Sequence, residues 1–90
     1  MRGVKAEYRE LDYVFAHEQE LTDEKWLRVI AASYSIAASK NCCAAEVARR
    51  RYRKRDHRFK ICRELYISES QYYKLLNLFL QIAKKAEGSN

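Results

Sequence analysis

Proline is absent from this 90-residue chain and glycine occurs only twice. With no helix breaker and few turn formers, helices can run unbroken, and an architecture built mainly of strands and tight turns is excluded. Cysteine is also scarce. Cys42, Cys43 and Cys62 form an odd set with no CxxC pair, which argues against a disulfide framework. Adding His57 does not produce the ligand spacing of a zinc site, so the three thiols are expected as small buried hydrophobes. No run of ~18 apolar residues is present, and Met1 leads into Arg2, Lys5 and Glu7 rather than an apolar secretion segment. A soluble cytoplasmic protein with no membrane partner is expected. Glycine-rich phosphate loops and HExxH patterns are missing as well. His17 and His57 stand beside no nucleophile or carboxylate constellation and read as surface or capping residues, so neither an enzyme nor a cofactor is expected.

What the chain does contain is charge, 33% of its residues, and apolar side chains, 48%. Ninety residues make room for one small domain, which buries only ~60 to 65% of its unfolded surface and leaves little depth for a catalytic cleft. Residues 1–90 are therefore read as a single domain, with an acidic segment over 1–24, helical support and a basic run over 25–55, and a C-terminal motif over 56–88. The formal charge of +6 points to a polyanionic partner. That charge is segregated. Residues 1–24 carry three basic and seven acidic side chains, net −4, whereas the remainder carries fifteen and five, net +10. A polyanion is expected to meet the C-terminal two-thirds.

Apolar periodicity orders the chain into helices. Tyr8, Leu11, Val14 and Phe15 fit a short amphipathic helix over about 6–18. Thr22 reads as the N-cap of a second helix, with Asp23 and Glu24 in the first turn, where the helix dipole favours acid. Its stripe is Trp26, Leu27, Ile30, Tyr34, Ala37 and Ala38, ending near Lys40 and Asn41. A third helix begins near Cys43, places Ala44, Ala45, Ala48 and Tyr52 on one face, and runs into Arg49, Arg50, Arg51, Arg53, Lys54 and Arg55. Six of these seven consecutive positions are cationic, and no acid lies within the run to pair with them. Six cations spread around a helix cannot all avoid the core side, so some must snorkel or lie beyond the helix end. Such density is costly without a counter-ion, and the run is expected to neutralise phosphates. A nuclear-localisation role fits the same letters.

The C-terminal third carries the most specific signal. Asp56 reads as the cap of a short helix over about 57–65, with Phe59, Ile61, Cys62 and Leu65 inward. After Tyr66 and Ile67, Ser68 opens a last helix over about 69–87. Ser68 and Gln71 fit the capping box S-x-x-Q, and Ile67 with Tyr72 fits the hydrophobic staple that goes with it. Tyr72, Leu75, Leu76, Phe79, Ile82, Ala83 and Ala86 continue as one stripe, Lys84 and Lys85 occupy the last turn, and Gly88 is placed to end it. A short helix, a turn of about three residues and a second helix with a fixed start is the layout of a helix-turn-helix, whose second helix enters the major groove. The expected fold class is all-α, a small domain of four to five helices ending in a helix-turn-helix with a long C-terminal recognition helix. Tyr66 stands where many such turns place glycine. On this layout Ser68, Glu69, Ser70, Gln71, Tyr73, Lys74 and Asn77 face DNA. Ser and Asn suit base edges, Tyr and Lys suit phosphate, Glu can accept from cytosine N4, and Gln71 divides itself between capping and exposure. Arg58 and Lys60 extend the basic run on the backbone side.

The string Phe59-Lys60-Ile61-Cys62-Arg63-Glu64-Leu65-Tyr66-Ile67-Ser68-Glu69-Ser70, followed by Tyr72-Tyr73 and closing at Ile82-Ala83 and Gly88, resembles the C-terminal half of phage-encoded transcriptional regulators of the RinA and ArpU type. The resemblance covers residues 52–88. It implies a fold like region 4 of sigma-70 factors and activation of phage or prophage genes in a Gram-positive host. It also implies that residues 68–77 enter the groove while residues 49–63 position the DNA backbone. The chain is shorter than the family norm and its N-terminal half does not match.

Three readings follow. The first is a sequence-specific double-stranded DNA-binding regulator of transcription, nucleoid-associated, whose acidic segment and Trp26 helix meet RNA polymerase or a second copy, since a homodimer would enlarge a small interface. The second is an RNA-binding or antitermination protein, or a recognition subunit of phage DNA packaging. The third is a protein-interaction module acting on the transcription machinery, with the seven tyrosines as anchors.

Overall fold

The structure, a computed structural model, describes residues 3–88. A 3-10 turn at Ala6–Tyr8 leads into α1 (Arg9–Ala16), and a second 3-10 turn at Glu18–Glu20 precedes α2 (Glu24–Lys40). Next come α3 (Cys42–Ala48), a π-helical turn at Arg49–Arg53, α4 (Arg58–Leu65) and α5 (Glu69–Gly88). No strand occurs among the described residues, so the fold is the small all-α domain that the composition implies. Among the same residues no helix is long and apolar enough to cross a membrane.

α5 is the spine, and every other helix packs against it. Tyr72, Leu76, Phe79, Leu80 and Ala83 bury one side of it completely or nearly so. Opposite them, Phe15 of α1, Tyr34 of α2 and Tyr52 of the π-helical turn converge on Phe79. The Phe15 and Phe79 rings meet edge-on at 5.1 Å, Tyr34 lies 5.0 Å from Phe79, and Tyr52 lies 5.3 Å from Phe15. Edge and tilted arrangements suit the ring quadrupoles, so this cluster fixes orientation as well as burying area.

Local capping chemistry sets the helix starts. Asp23, not Thr22, caps α2: its carboxylate accepts the Lys25 N–H at 2.9 Å, and Asp ranks above Thr at this position. The buried side of α2 is Val29, Ile30, Ser33 and Ala37, with Leu27 39% exposed and Ala38 exposed. The expected stripe is therefore rotated toward Ser33. Burial of Ser33 is tolerated because its hydroxyl donates to the Val29 carbonyl at 2.6 Å, one turn back. Asn41 caps α3 by accepting from the Ala44 N–H at 3.1 Å. Ala44, Val47 and Ala48 are buried, and their small size lets α3 approach α5 closely. Cys42 and Cys43 sit exposed in the first turn of α3 and Cys62 is only half-buried, so the expectation of buried thiols fails for the adjacent pair.

α4 differs from expectation at its start and on one face. His57 Nδ1 caps it by accepting the Phe59 N–H at 3.2 Å, while Asp56 instead meets Lys54 at 3.6 Å and Lys60 at 3.5 Å. Phe59 is 62% exposed rather than inward. A two-turn helix offers one narrow contact stripe, which Ile61, Cys62 and Leu65 fill. Phe59 lies instead under the Arg58 guanidinium, 4.8 Å away, and beside the His57 ring. The exit from α4 is a left-handed turn at Tyr66 (φ 56°, ψ 45°), closed by the Ile67 N–H donating to the Cys62 carbonyl at 3.0 Å. This is the closure normally made with glycine. The capping box expected for α5 is present in both directions: Gln71 N–H to Ser68 Oγ at 3.1 Å, and Ser68 N–H to Gln71 Oε1 at 2.8 Å.

Candidate nucleic-acid interface

The basic run folds into the π-helical turn, where the Lys54 N–H reaches back to the Arg49 carbonyl at 3.0 Å and the Asp56 N–H to the Arg50 carbonyl at 2.9 Å. These wide turns, ended by Arg55 in the left-handed region (φ 59°), send successive side chains in different directions. Arg49 makes a two-pronged contact with Glu46 at 3.1 and 2.7 Å. Arg50 shares the same carboxylate at 2.7 Å and also reaches Glu64. Arg51 contacts Asp12 at 3.3 Å and donates to the Tyr72 hydroxyl at 2.9 Å, while the Tyr52 hydroxyl donates to Asp12 at 2.5 Å. Arg53 bridges to Glu18 at 3.2 and 3.1 Å and lies 3.9 Å over the Tyr34 ring. Arg55 donates to the Ala16 carbonyl and Lys54 pairs with Asp56.

The expectation that this run lacks counter-ions is therefore corrected: each of its six cations has a partner within the chain. Three of those partners, Asp12, Ala16 and Glu18, come from the acidic first quarter. The segregation of charge in the sequence is in part an intramolecular complementarity. Arg51 ties α1 to α5, Arg50 ties α3 to α4, and Arg53 and Arg55 tie the run to the end of α1 and the turn after it, so the run has a structural role within the chain.

Electrostatics follow from these contacts. Hydrogen bonds from Arg49 and Arg50 hold the Glu46 carboxyl down at about 2. Burial, and then the neighbouring Asp12 carboxylate, push the Tyr52 hydroxyl far above its usual value. Burial likewise raises Tyr34 to about 12, against the pull of Arg53. Both phenols stay protonated, and Tyr52 acts as a donor to Asp12.

At the junction of α4 with α5, Arg58 donates to the Tyr73 hydroxyl at 3.0 Å and its Nε lies 3.4 Å from Glu69. Glu69 and Tyr73, read from the sequence as groups that touch DNA, thus both engage Arg58 across the junction of the two helices, Tyr73 by a hydrogen bond and Glu69 by charge. A cleft of about 400 Å³ opens here, lined by Arg51, Arg55, Arg58, His57, Tyr72 and Tyr73 among others, with Asp56 in its wall. Three cations, Arg51, Arg55 and Arg58, border this cleft, each also held by a partner within the chain.

The remaining site residues divide. Ser68 and Gln71 are committed to the cap, although the Gln71 amide nitrogen makes no hydrogen bond with a described residue. Ser70 and Lys74 are exposed on α5. Asn77 is half-buried and committed elsewhere: its Oδ1 accepts the Lys5 N–H at 3.0 Å and its Nδ2 donates to the Gly3 carbonyl at 3.1 Å, pinning the N-terminal segment along α5. Arg63, exposed on α4, has no ion-pair partner among the described residues, nor has Lys74. Lys60 is exposed and only loosely paired with Asp56. No group of three or more His, Cys, Asp or Glu able to hold a metal ion occurs among the described residues. Comparison with known proteins finds no matching family model, no matching curated protein and no matching solved structure.

Proposed function

We propose that this chain is a sequence-specific double-stranded DNA-binding regulator of transcription in which α4, the three-residue connection and α5 form a helix-turn-helix. The observation that carries the proposal is the joint between these helices. α5 begins at a two-way capping box, Arg58 is clamped by Tyr73 and Glu69, and Ser70, Gln71 and Lys74 are left facing outward on the first turns of α5. A recognition helix needs a fixed entry angle and a polar, exposed N-terminal end, and this joint meets both needs. The sequence resemblance to phage regulators of the RinA and ArpU type covers the same joint and supports the same reading.

The phosphate-contacting set differs from the one suggested by the letters. Lys60, Arg63 and Lys74 carry the charge that is available at once. Arg51, Arg55 and Arg58 contribute one phosphate seat through the cleft. Asn77 positions the N-terminal segment instead of reading a base. The test is selection of bound duplexes from a random DNA pool: enrichment of a common site is expected, and Ser70→Ala with Gln71→Ala should relax preference within it. An empty selection, together with capture of structured RNA by the same protein, would replace this reading with RNA binding.

A further inference from the structure

α5 is more apolar than its core contacts require. Beside the buried stripe runs a second one, Leu75, Leu78 and Ile82, at spacings of three and four residues, all only half-buried. With Ile36 of α2 these side chains floor two adjoining hollows of about 320 and 420 Å³. The two share Asn41, Leu78 and Gln81 and so form one groove along α5 from Lys74 to Ala86. The groove is about 18 Å long at 1.5 Å per residue, the length of roughly three helical turns. Its rim carries Lys5, Lys40 and Lys74, and no carboxylate side chain lines either hollow among the described residues. Lys5, Lys40 and Lys74 have no ion-pair partner among the described residues, whereas each cation of the arginine run has a partner within the chain.

We infer that this groove is a docking site for an acidic amphipathic helix of another protein, its apolar residues at i, i+3 or i+4, and i+7 seated over Leu75, Leu78 and Ile82, its carboxylates facing the lysine rim. Charge and shape together select this occupant. A nucleic-acid backbone would meet the lysines but leave the apolar floor unsatisfied. A second copy has no suitable helix to offer, because the acidic α1 already spends its apolar residues Leu11, Val14 and Phe15 on its own core. The inference does not rest on DNA binding: its apolar floor, Leu75, Leu78 and Ile82, takes no part in the proposed DNA surface, and only Lys74, at one end of the groove, is common to both.

The probe is a fluorescent synthetic helix of about 14 residues with leucines on one face and glutamates elsewhere, compared by anisotropy with a peptide of the same composition whose leucines are scattered around the helix. Micromolar binding of the first is expected, at least tenfold tighter than the second. Leu78→Asp should weaken it more than tenfold, and Lys5→Glu with Lys40→Glu, both at exposed positions, several-fold, with helical circular dichroism unchanged in each. Should Leu78→Asp fail to fold, the lysine pair and the scattered-leucine peptide still decide the matter. Equal binding of the two peptides, no binding of either at low salt, or indifference to the lysine pair would overturn the inference. Binding to a selected DNA duplex, measured in parallel, keeps a failure here distinct from a failure of the DNA-binding proposal.

Discussion

Replacing Tyr66 by glycine should make the protein more stable, although it deletes the largest side chain of the turn. Tyr66 sits in the left-handed region at φ 56°, ψ 45°, and is 93% exposed. A left-handed conformation costs an L-residue ~1–2 kcal/mol, which glycine avoids. Glycine adds back ~0.5–1 kcal/mol of unfolded-state entropy. The ring buries almost nothing, so its loss adds little on either side. The net is a gain of about 0.5–1 kcal/mol, or a rise in Tm of roughly 2–8 °C for a domain of this size. Thermal unfolding followed by far-UV circular dichroism measures it, with Tyr66→Ala as the control. Alanine also lacks the ring but keeps the backbone penalty, so its Tm should stay close to that of the parent. A lower Tm for Tyr66→Gly, or an equal rise for Tyr66→Ala, would refute the assignment of strain to this residue.

Three further outcomes are expected. Tyr52→Phe removes the donor that reaches Asp12 at 2.5 Å from a nearly buried position, and should cost about 1–3 kcal/mol in urea unfolding. Glu46 has its folded pKa depressed to about 2, so its stabilising contribution is complete above the ordinary glutamate range near 4.3 and is lost as pH falls toward 2. Because the side chain is one-third exposed, solvent screening holds the effect to about 1 kcal/mol, and the stability gap between the parent and Glu46→Gln should close between pH 5 and pH 2. Phe79→Ala empties the centre of the aromatic cluster and should cost about 3–5 kcal/mol, enough to leave the chain largely unfolded by circular dichroism at 37 °C.

What could be read from the letters depended on how far apart the interacting residues stand. The capping box of α5 is written in four consecutive positions, Ser68 to Gln71, and both of its hydrogen bonds form. The helix count and the stripe along α5 are periodic signals of the same local kind. Choices between near-equal neighbours went astray. Asp23 displaces Thr22 because a carboxylate is the stronger acceptor, His57 displaces Asp56 once Lys54 and Lys60 engage the aspartate, and Ser33 turns inward because a hydroxyl can bond its own helix. The partners of the arginines lay beyond any local scan: Asp12 is 39 positions from Arg51, and Glu18 is 35 from Arg53. Their only trace in the sequence was the acidic excess of residues 1–24. The partners of Asn77 were out of reach for the same reason, since the groups that occupy it are 72 and 74 positions away.

The central claim, that a polar joint of α4 and α5 reads DNA while the arginine run serves chiefly as internal ties, is tested most directly by the salt dependence of duplex affinity. Each phosphate neutralised by an available cation steepens the fall of log K with log salt by about 0.9. An internally paired arginine must first give up its carboxylate and releases correspondingly little. With Lys60, Arg63, Lys74 and the cleft contributing, a slope of about −3 to −4 is expected on a selected duplex, becoming shallower by about 1 for Lys74→Ala. A slope of −6 or steeper would mean that the arginines leave their partners to bind phosphate. A flat dependence, or equal affinity for selected and scrambled duplexes, would contradict the account outright.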